Sequence, residues 1–116
     1  MLVSVTPGDL VVEILGAGSG YPTSSRDTSS LLVGAAEGWT AIECPGSIVH
    51  KLEARGLSMD LLRRLILTHK HIDHVYGVPH LVHAMGIEGR VEEINLLAPA
   101  QTLATVAEMV AVHELT

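Results

Sequence analysis

The 116-residue chain carries 13 acidic against 7 basic side chains, a formal net charge of −6. That balance excludes a nucleic-acid site built on a broad basic face, though not a local patch around Arg26 or Arg63-Arg64. A single cysteine, Cys44, excludes an internal disulfide framework and fits a reducing compartment.

A hydrophobic content of 47% and a mean hydropathy of +0.38 are high for so short a chain, because a small domain buries a modest share of its surface. Two explanations stay open: an ordinary Leu/Val/Ala-rich core, or a partner surface supplied by another subunit or by the rest of a longer fold. Residues 1–116 are expected to form one domain or a piece of one. The N-terminus has no basic stretch ahead of an apolar one, and no apolar run approaches the roughly 18 residues of a membrane span. The expectation is a soluble cytoplasmic protein with no membrane segment.

In chain order, Val11-Val12-Glu13-Ile14-Leu15 predicts a short strand that ends in the glycines Gly16, Gly18 and Gly20. Tyr21 to Thr28, rich in Pro, Ser, Thr and Asp, predicts a loop. Leu31-Leu32-Val33 and Trp39-Thr40-Ala41-Ile42 predict two strands around a turn at Glu37-Gly38. Ile48, Val49, Leu52 and Leu57 have helical spacing, with Gly56 as C-cap. Leu65-Ile66-Leu67 predicts a buried strand that runs straight into a histidine cluster. Beyond it, Pro79 opens a short helix carrying Leu81, Val82 and Met85 and closed by Gly86. Ile94 to Ala98 predicts a further strand, and Leu103, Val106, Ala107 and Val110 form one stripe of a last helix. Strands first, then strands alternating with helices, give an α/β or α+β fold. The histidine cluster then lies on a loop at a strand's C-terminal end, where scaffolds hold their reactive groups.

That cluster is His69-Lys70-His71-Ile72-Asp73-His74. Three imidazoles and one carboxylate within six residues are the donor types that zinc and similar ions take. On an extended segment, residues two apart project to one side, so His69 and His71 can share an ion. Asp73 and His74, past the bend, point elsewhere and suit a second ion nearby. A pair of ions about 3.5–4 Å apart would bridge a water and bring its pKa toward 7, giving a metal-bound hydroxide nucleophile. The bland alternative is a histidine-rich surface loop or a pH-sensing patch.

Thr68-His69-Lys70-His71-Ile72-Asp73-His74 resembles the T-H-x-H-x-D-H signature of the metallo-β-lactamase superfamily. Gly77-Val78-Pro79 resembles the G-L-P that follows this signature in the ribonuclease Z branch, the tRNA 3′-processing endonucleases. Leu15-Gly16-Ala17-Gly18-Ser19-Gly20-Tyr21-Pro22, with Arg26 and Ser29-Ser30, is similar to that branch's L-G-T-G-x-x-x-P…R-N…S opening. Glu43-Cys44-Pro45-Gly46-Ser47 resembles its D-C-G-E-G-T turn. The resemblance runs from about Val12 to Met85. The glycine opening is also shared with arylsulfatase-like and cyclic-phosphodiesterase relatives.

The resemblance implies the N-terminal half of an αββα sandwich with metals at one edge. His69 and His71 would hold one ion, Asp73 and His74 the other, and Asp73 would be the general base. The implied activity is metal-dependent hydrolysis, first of phosphodiesters including RNA, using two divalent ions with zinc as the first choice. Lactones, thioesters and sulfate esters are alternative substrates, and no substrate-binding residue is singled out.

A complete site of this kind also needs a third histidine, a bridging aspartate and a late histidine. The sequence has no aspartate after Asp73, and His113 is its only histidine beyond His83. His113 is expected on the surface; His80 and His83, three apart on a short helix, share a face. Each ion is then left with two ligands where three or four are usual, so binding by this chain alone should be weak or partial. The expectation is a truncated piece, completed by a C-terminal half or by a homodimer partner, or else a non-catalytic half-domain that binds metal or a partner.

Ribonuclease Z proteins carry a lysine before the Arg26 position and an asparagine after it; Ser24 and Asp27 stand there in this chain. Two other readings are weaker. Gly16 to Gly20 with Glu43 imitates a dinucleotide-binding fingerprint but lacks the glycine needed at Tyr21. Cys44 has no histidine tied to it in sequence, so it is expected to be structural rather than nucleophilic.

Overall fold

The computed structural model describes residues 2–5, 10–35, 38–90 and 92–114. Six strands form one mixed sheet in chain order: β1 (Leu2–Val5), β2 (Leu10–Gly16), β3 (Ser30–Ala35), β4 (Gly38–Ile42), β5 (Leu62–Ile66) and β6 (Asn95–Leu97). Strands β1 to β4 pair antiparallel, whereas β4–β5 and β5–β6 pair parallel. Parallel neighbours need a crossover. The first uses α1 (Ile48–Ala54) and a 3-10 turn (Met59–Leu61), and the second uses α2 (Ile72–Val75) and α3 (Val78–Ile87). A last helix, α4 (Ala100–Val112), follows β6.

Register decides what each face of the sheet carries, since paired residues project to the same side. One row reads Glu13, Leu32, Ala41, Leu65 and Leu96 across β2 to β6. Leu32 and Ala41 in that row are fully buried. This face lies under the helices, and its residues join Ile48 and Leu52 of α1, Leu81 and Met85 of α3 and Val106 of α4 in one core. The opposite row reads Ile14, Leu31, Ile42, Ile66 and Leu97. The first four are only half-buried, and Leu97 is 48% exposed. This five-strand apolar row is left partly open, in addition to the buried core under the helices.

Helix α1 stops where its sequence predicts. Gly56 takes φ +66, its N–H donates to the Glu53 carbonyl, and the Leu57 N–H donates to the Leu52 carbonyl. Those two bonds satisfy the carbonyls that a helix end leaves open, and they bring apolar Leu57 back beside Leu52. Pro79 sits in the first turn of α3, as expected.

Two expectations need correction. Gly86 does not close α3, which runs to Ile87; the left-handed residue that ends it is Gly89, at φ +76. In α4 the buried side chains are Thr102 and Val106, with Met109 and Val110 against the core, while Leu103 is 39% exposed and Ala107 is exposed. The helix is thus rotated from the stripe its apolar spacing suggests, because it packs on α3. Strand β1 has no counterpart in the sequence pattern. Of the turn at Glu37-Gly38, Glu37 lies outside the described residues.

Close packing at Gly77 and open space at Gly86 give a paired prediction. A Cβ at Gly77 would lie 1.9 Å from the Pro45 carbonyl oxygen, whereas nothing lies within 4 Å of one at Gly86. Gly77→Ala should therefore cost more than about 3 kcal/mol by forcing the Cys44–Pro45 turn away. Gly86→Ala should stabilise by up to about 1 kcal/mol, since alanine is the better helix former. Chemical denaturation of both variants checks this; effects of equal sign would contradict the packing described.

Candidate metal centre

Strands β2, β4, β5 and β6 all run the same way, so their C-terminal ends open on one edge of the sheet, the usual place for a site in a parallel array. Directly after β4, Glu43 turns the chain through the left-handed region at φ 69, a conformation costly for a non-glycine residue. Its side chain is 5% exposed. A buried carboxylate must be partnered, and the partners come from the histidine loop. Oε1 accepts the Thr68 N–H at 2.7 Å, and Oε2 accepts the Thr68 hydroxyl at 3.0 Å. His74 Nδ1, itself buried, is in contact with Oε2 and has no other polar partner among the described residues. Backbone bonds repeat the tie: Glu43 N–H to the Ile66 carbonyl, Cys44 N–H to the His74 carbonyl, and Gly77 N–H to the Cys44 carbonyl.

These bonds assign the imidazole protons. The Thr68 hydroxyl has one proton, which goes to the charged acceptor Glu43. The 2.9 Å contact between Thr68 Oγ1 and His69 Nδ1 must then be donated by the ring. His69 is therefore the Nδ1–H tautomer with its Nε2 lone pair free. His74, whose Nδ1 faces Glu43, has the same tautomer. A carboxylate fixing the far nitrogen of an imidazole is the arrangement that orients metal-ligating histidines.

The free Nε2 of His74 faces Asp73 Oδ2 at 3.0 Å. In this tautomer both atoms are acceptors, and a shared cation would relieve the repulsion between them. A second proton on the ring is disfavoured, because burial holds the His74 imidazole below its ordinary pKa. A cation suits the gap: two donors bonded at about 2.0–2.1 Å to a tetrahedral ion sit roughly 3.3 Å apart. The His69 ring lies 4.0 Å from that of His74 and 4.6 Å from that of His71, centroid to centroid. Ligand atoms of Glu43, His69 and His74 all fall within 4.8 Å of one another. Glu43, however, already spends its oxygens on Thr68 and His74, which makes it the group that positions ligands.

The loop is not fully extended. His71 ends the extended part, and the single turn α2 swings His74 back against His69. The His69–His71 pair and the Asp73–His74 pair, expected to serve two neighbouring ions, thus lie side by side in one cluster. Gly20 lets the opening loop close on it, since a Cβ there would meet Asp73 Oδ2 at 3.2 Å. A cavity of about 150 Å³ bounded by Gly20, Thr28, Asp73 and Tyr76 lies on that side. On the other side, His69, Lys70 and His71 and the start of α4 line one of about 400 Å³.

His80, His83 and His113 are exposed and lie apart from the cluster. Cys44 is fully buried with its thiol pushed up to about 12 by desolvation, so it is a packing residue as expected. The dinucleotide reading fails on structure, because strand β2 leads through the loop to β3 and not into a helix. Gly16 and Gly18 instead accommodate the carbonyls of Thr28 and Asp27. Glu43 is the residue that sequence reasoning undervalued. The available signal was an acid immediately after a buried strand.

Comparison with known proteins bears on the whole chain. The family model described as Anti-Pycsar protein Apyc1 matches residues 10–110. The chain belongs to that family. Among curated relatives, a ribonuclease Z from Pseudomonas putida is 35% identical over 88 residues, which are 74% of this chain and 28% of the relative. The short form of human tRNase Z superposes with a TM-score of 0.80 at 20% identity, over 90% of this chain and 41% of that one. The Bacillus subtilis metallo-β-lactamase fold protein YhfI gives 0.76 at 18% identity, over 85% and 42%. The fold is therefore that of the metallo-β-lactamase superfamily, in a ribonuclease Z-like form. The chain spans less than a third of the length of the curated relative it matches.

Asp27, where the ribonuclease Z pattern has asparagine, ties the opening loop to α1. Burial would raise its carboxyl, but the Ser47 hydroxyl, the Thr28 N–H at 2.8 Å and the Lys51 ammonium at 3.4 Å outweigh that and hold it below the usual value of 3.8. A carboxyl lowered on folding stabilises above its unfolded pKa, and that stabilisation is lost as pH falls through the folded value. Asp27→Asn should cost about 1 kcal/mol at pH 7. Denaturation midpoints of the two proteins should converge below about pH 4, and a gap that persists or widens in acid would contradict this role.

Proposed function

We propose that this chain contributes half of the metal site of a metallo-β-lactamase-fold hydrolase, acting first on phosphodiesters in the manner of a ribonuclease Z. His69, His71, Asp73 and His74 are the proposed ligands, for two divalent ions with zinc as the first candidate. The single observation that carries the reading is the pair of acceptors, His74 Nε2 and Asp73 Oδ2, held 3.0 Å apart. Bound there, a divalent ion supplies Lewis-acid polarisation and a nucleophile at neutral pH. The chain's own residues do the rest. Glu43 and Thr68 hold His69 and His74 with their Nε2 lone pairs inward, Asp73 is placed to take a proton, and Gly20 lets the opening loop cover it.

Four ligands are too few for two ions. The remainder would come from further protein, supplied by a longer chain or by a second copy. The half-open row Ile14, Leu31, Ile42, Ile66 and Leu97 suits the same supplier. A second sheet laid on it would complete the αββα sandwich, with residues 1–116 as one partial domain. A cytoplasmic location fits the lone buried cysteine, and no helix among the described residues is long and apolar enough to cross a membrane.

Zinc titration by calorimetry, with hydrolysis of a phosphodiester, a lactone, a thioester and a sulfate ester, tests the proposal. The 116-residue chain should bind zinc weakly at this loop, and His69→Ala or His74→Ala should lower that affinity at least tenfold. A reading frame extended to the length of the relatives should hydrolyse the phosphodiester fastest. Zinc affinity at the loop indifferent to both variants would sink the metal assignment. Two tightly bound ions with turnover by the short chain alone would sink the half-site.

A further inference from the structure

The chain has one tryptophan, two tyrosines and no phenylalanine. Trp39 packs against the core from β4. Tyr76 is turned inward as well: a Cβ at Gly46 would meet its ring at 2.5 Å, and its hydroxyl lies 3.5 Å from Thr28 Oγ1. Tyr21 is different. At 84% exposure it is the most exposed large apolar side chain among the described residues. It follows Gly20, where a Cβ would meet Asp73 Oδ2 at 3.2 Å, so the backbone next to Tyr21 runs against the carboxylate. Ile72 precedes Asp73 in the chain, is 68% exposed, and lines the cavity of about 150 Å³ with Gly20 and Pro22. Exposed apolar side chains thus flank Asp73 from both the opening loop and α2. The loop carrying Tyr21 is tied down on both sides. Tyr21 N–H donates to Ser19 Oγ at 3.3 Å, Gly18 N–H to the Asp27 carbonyl at 2.7 Å, and Thr23 N–H to the Arg26 carbonyl at 2.8 Å.

A stack needs one open face of one ring, not several groups brought together, so the exposure of Tyr21 is sufficient for it. A tyrosine on fixed backbone has two side-chain torsions to order and loses little freedom when a planar group lies on it. Every nucleobase has a π-face, which makes base–aromatic stacking tolerant of sequence. Stacking also suits an acidic chain. A net charge of −6 repels a phosphate backbone, whereas a ring-on-ring contact needs no opposite charge. Among the ester classes considered for this loop, an RNA strand is the one that carries a planar base beside every scissile bond. We infer that Tyr21 is a specificity-determining residue, which stacks a nucleobase of the substrate next to the bond attacked at the metal loop. Ile72 is its apolar neighbour across Asp73. The inference rests on the phosphodiesterase reading above and narrows its substrate class to unpaired ribonucleotides.

The test reads stacking without metal, so that it succeeds or fails apart from the zinc assignment. The chain, kept metal-free by a chelator, is titrated in NMR with a short oligoadenylate and with an abasic ribose-phosphate oligomer of the same length. The oligoadenylate should bind more tightly, and its bases should move the Tyr21 ring protons upfield. Tyr21→Phe should keep that preference. Tyr21→Ala should lower oligoadenylate affinity at least about fivefold, to that of the abasic oligomer. Both variants should keep the circular dichroism and the zinc affinity of the unsubstituted chain, because Tyr21 is exposed and outside the ligand set. Equal affinity for the two oligomers, a Tyr21 ring unmoved by the oligoadenylate, or affinity indifferent to Tyr21→Ala overturns the proposal. A ring that responds only to protein concentration overturns it too, and makes Tyr21 a contact for a second copy. Stacking by a chain with no zinc affinity at the loop would support the role of Tyr21 and count against the metal assignment alone.

Discussion

A buried carboxylate with its partners on another strand's loop is the constraint from which the rest of this site follows. Glu43 cannot stay ionised at 5% exposure unless it is hydrogen-bonded. It finds its donors in Thr68 and, by contact, in His74, both on the far side of the β4–β5 junction. The same bonds that satisfy the charge dictate which nitrogen of each imidazole carries a proton. Charge burial, backbone geometry and ligand chemistry are thus one problem with one solution. The left-handed backbone at Glu43 is part of it, since strain of this kind persists where surrounding contacts over-determine it.

The sheet explains why the site can be this local. Four strands end on one edge, so three loops distant in sequence, around Gly20, Glu43 and His69, meet without long connections. The helices cover one face only. The row from Ile14 to Leu97 is apolar on the other, which is costly to leave in water and unusual for a sheet that ends there. The low ligand count and the half-open apolar row are independent features, one at the strand-end edge and the other on the sheet's second face.

Much of this was legible in the residues. The short apolar runs around Leu32 and Leu65, the Gly56 helix stop and the density of ligand-type side chains from His69 to His74 are local signals, and local signals survive folding. The direct contact of the His74 ring with the His69 ring was not legible in the spacing. It depends on one turn of helix, Ile72–Val75, too short to leave a periodicity. The role of Glu43 was hidden for a different reason. Its place in the Glu43-to-Ser47 turn was visible, but its bonds to Thr68 and His74 exist only through strand β5 pairing with β4.

The most direct test of the account is the protonation of the two loop imidazoles, read by nitrogen-15 NMR on the metal-free chain at neutral pH. If Glu43 and Thr68 organise the loop, His69 and His74 are both in the Nδ1–H tautomer, and Glu43→Gln releases them toward the mixture found in unconstrained imidazole. An Nε2–H tautomer at His74 in the unsubstituted chain, or tautomers unchanged by Glu43→Gln, would contradict it.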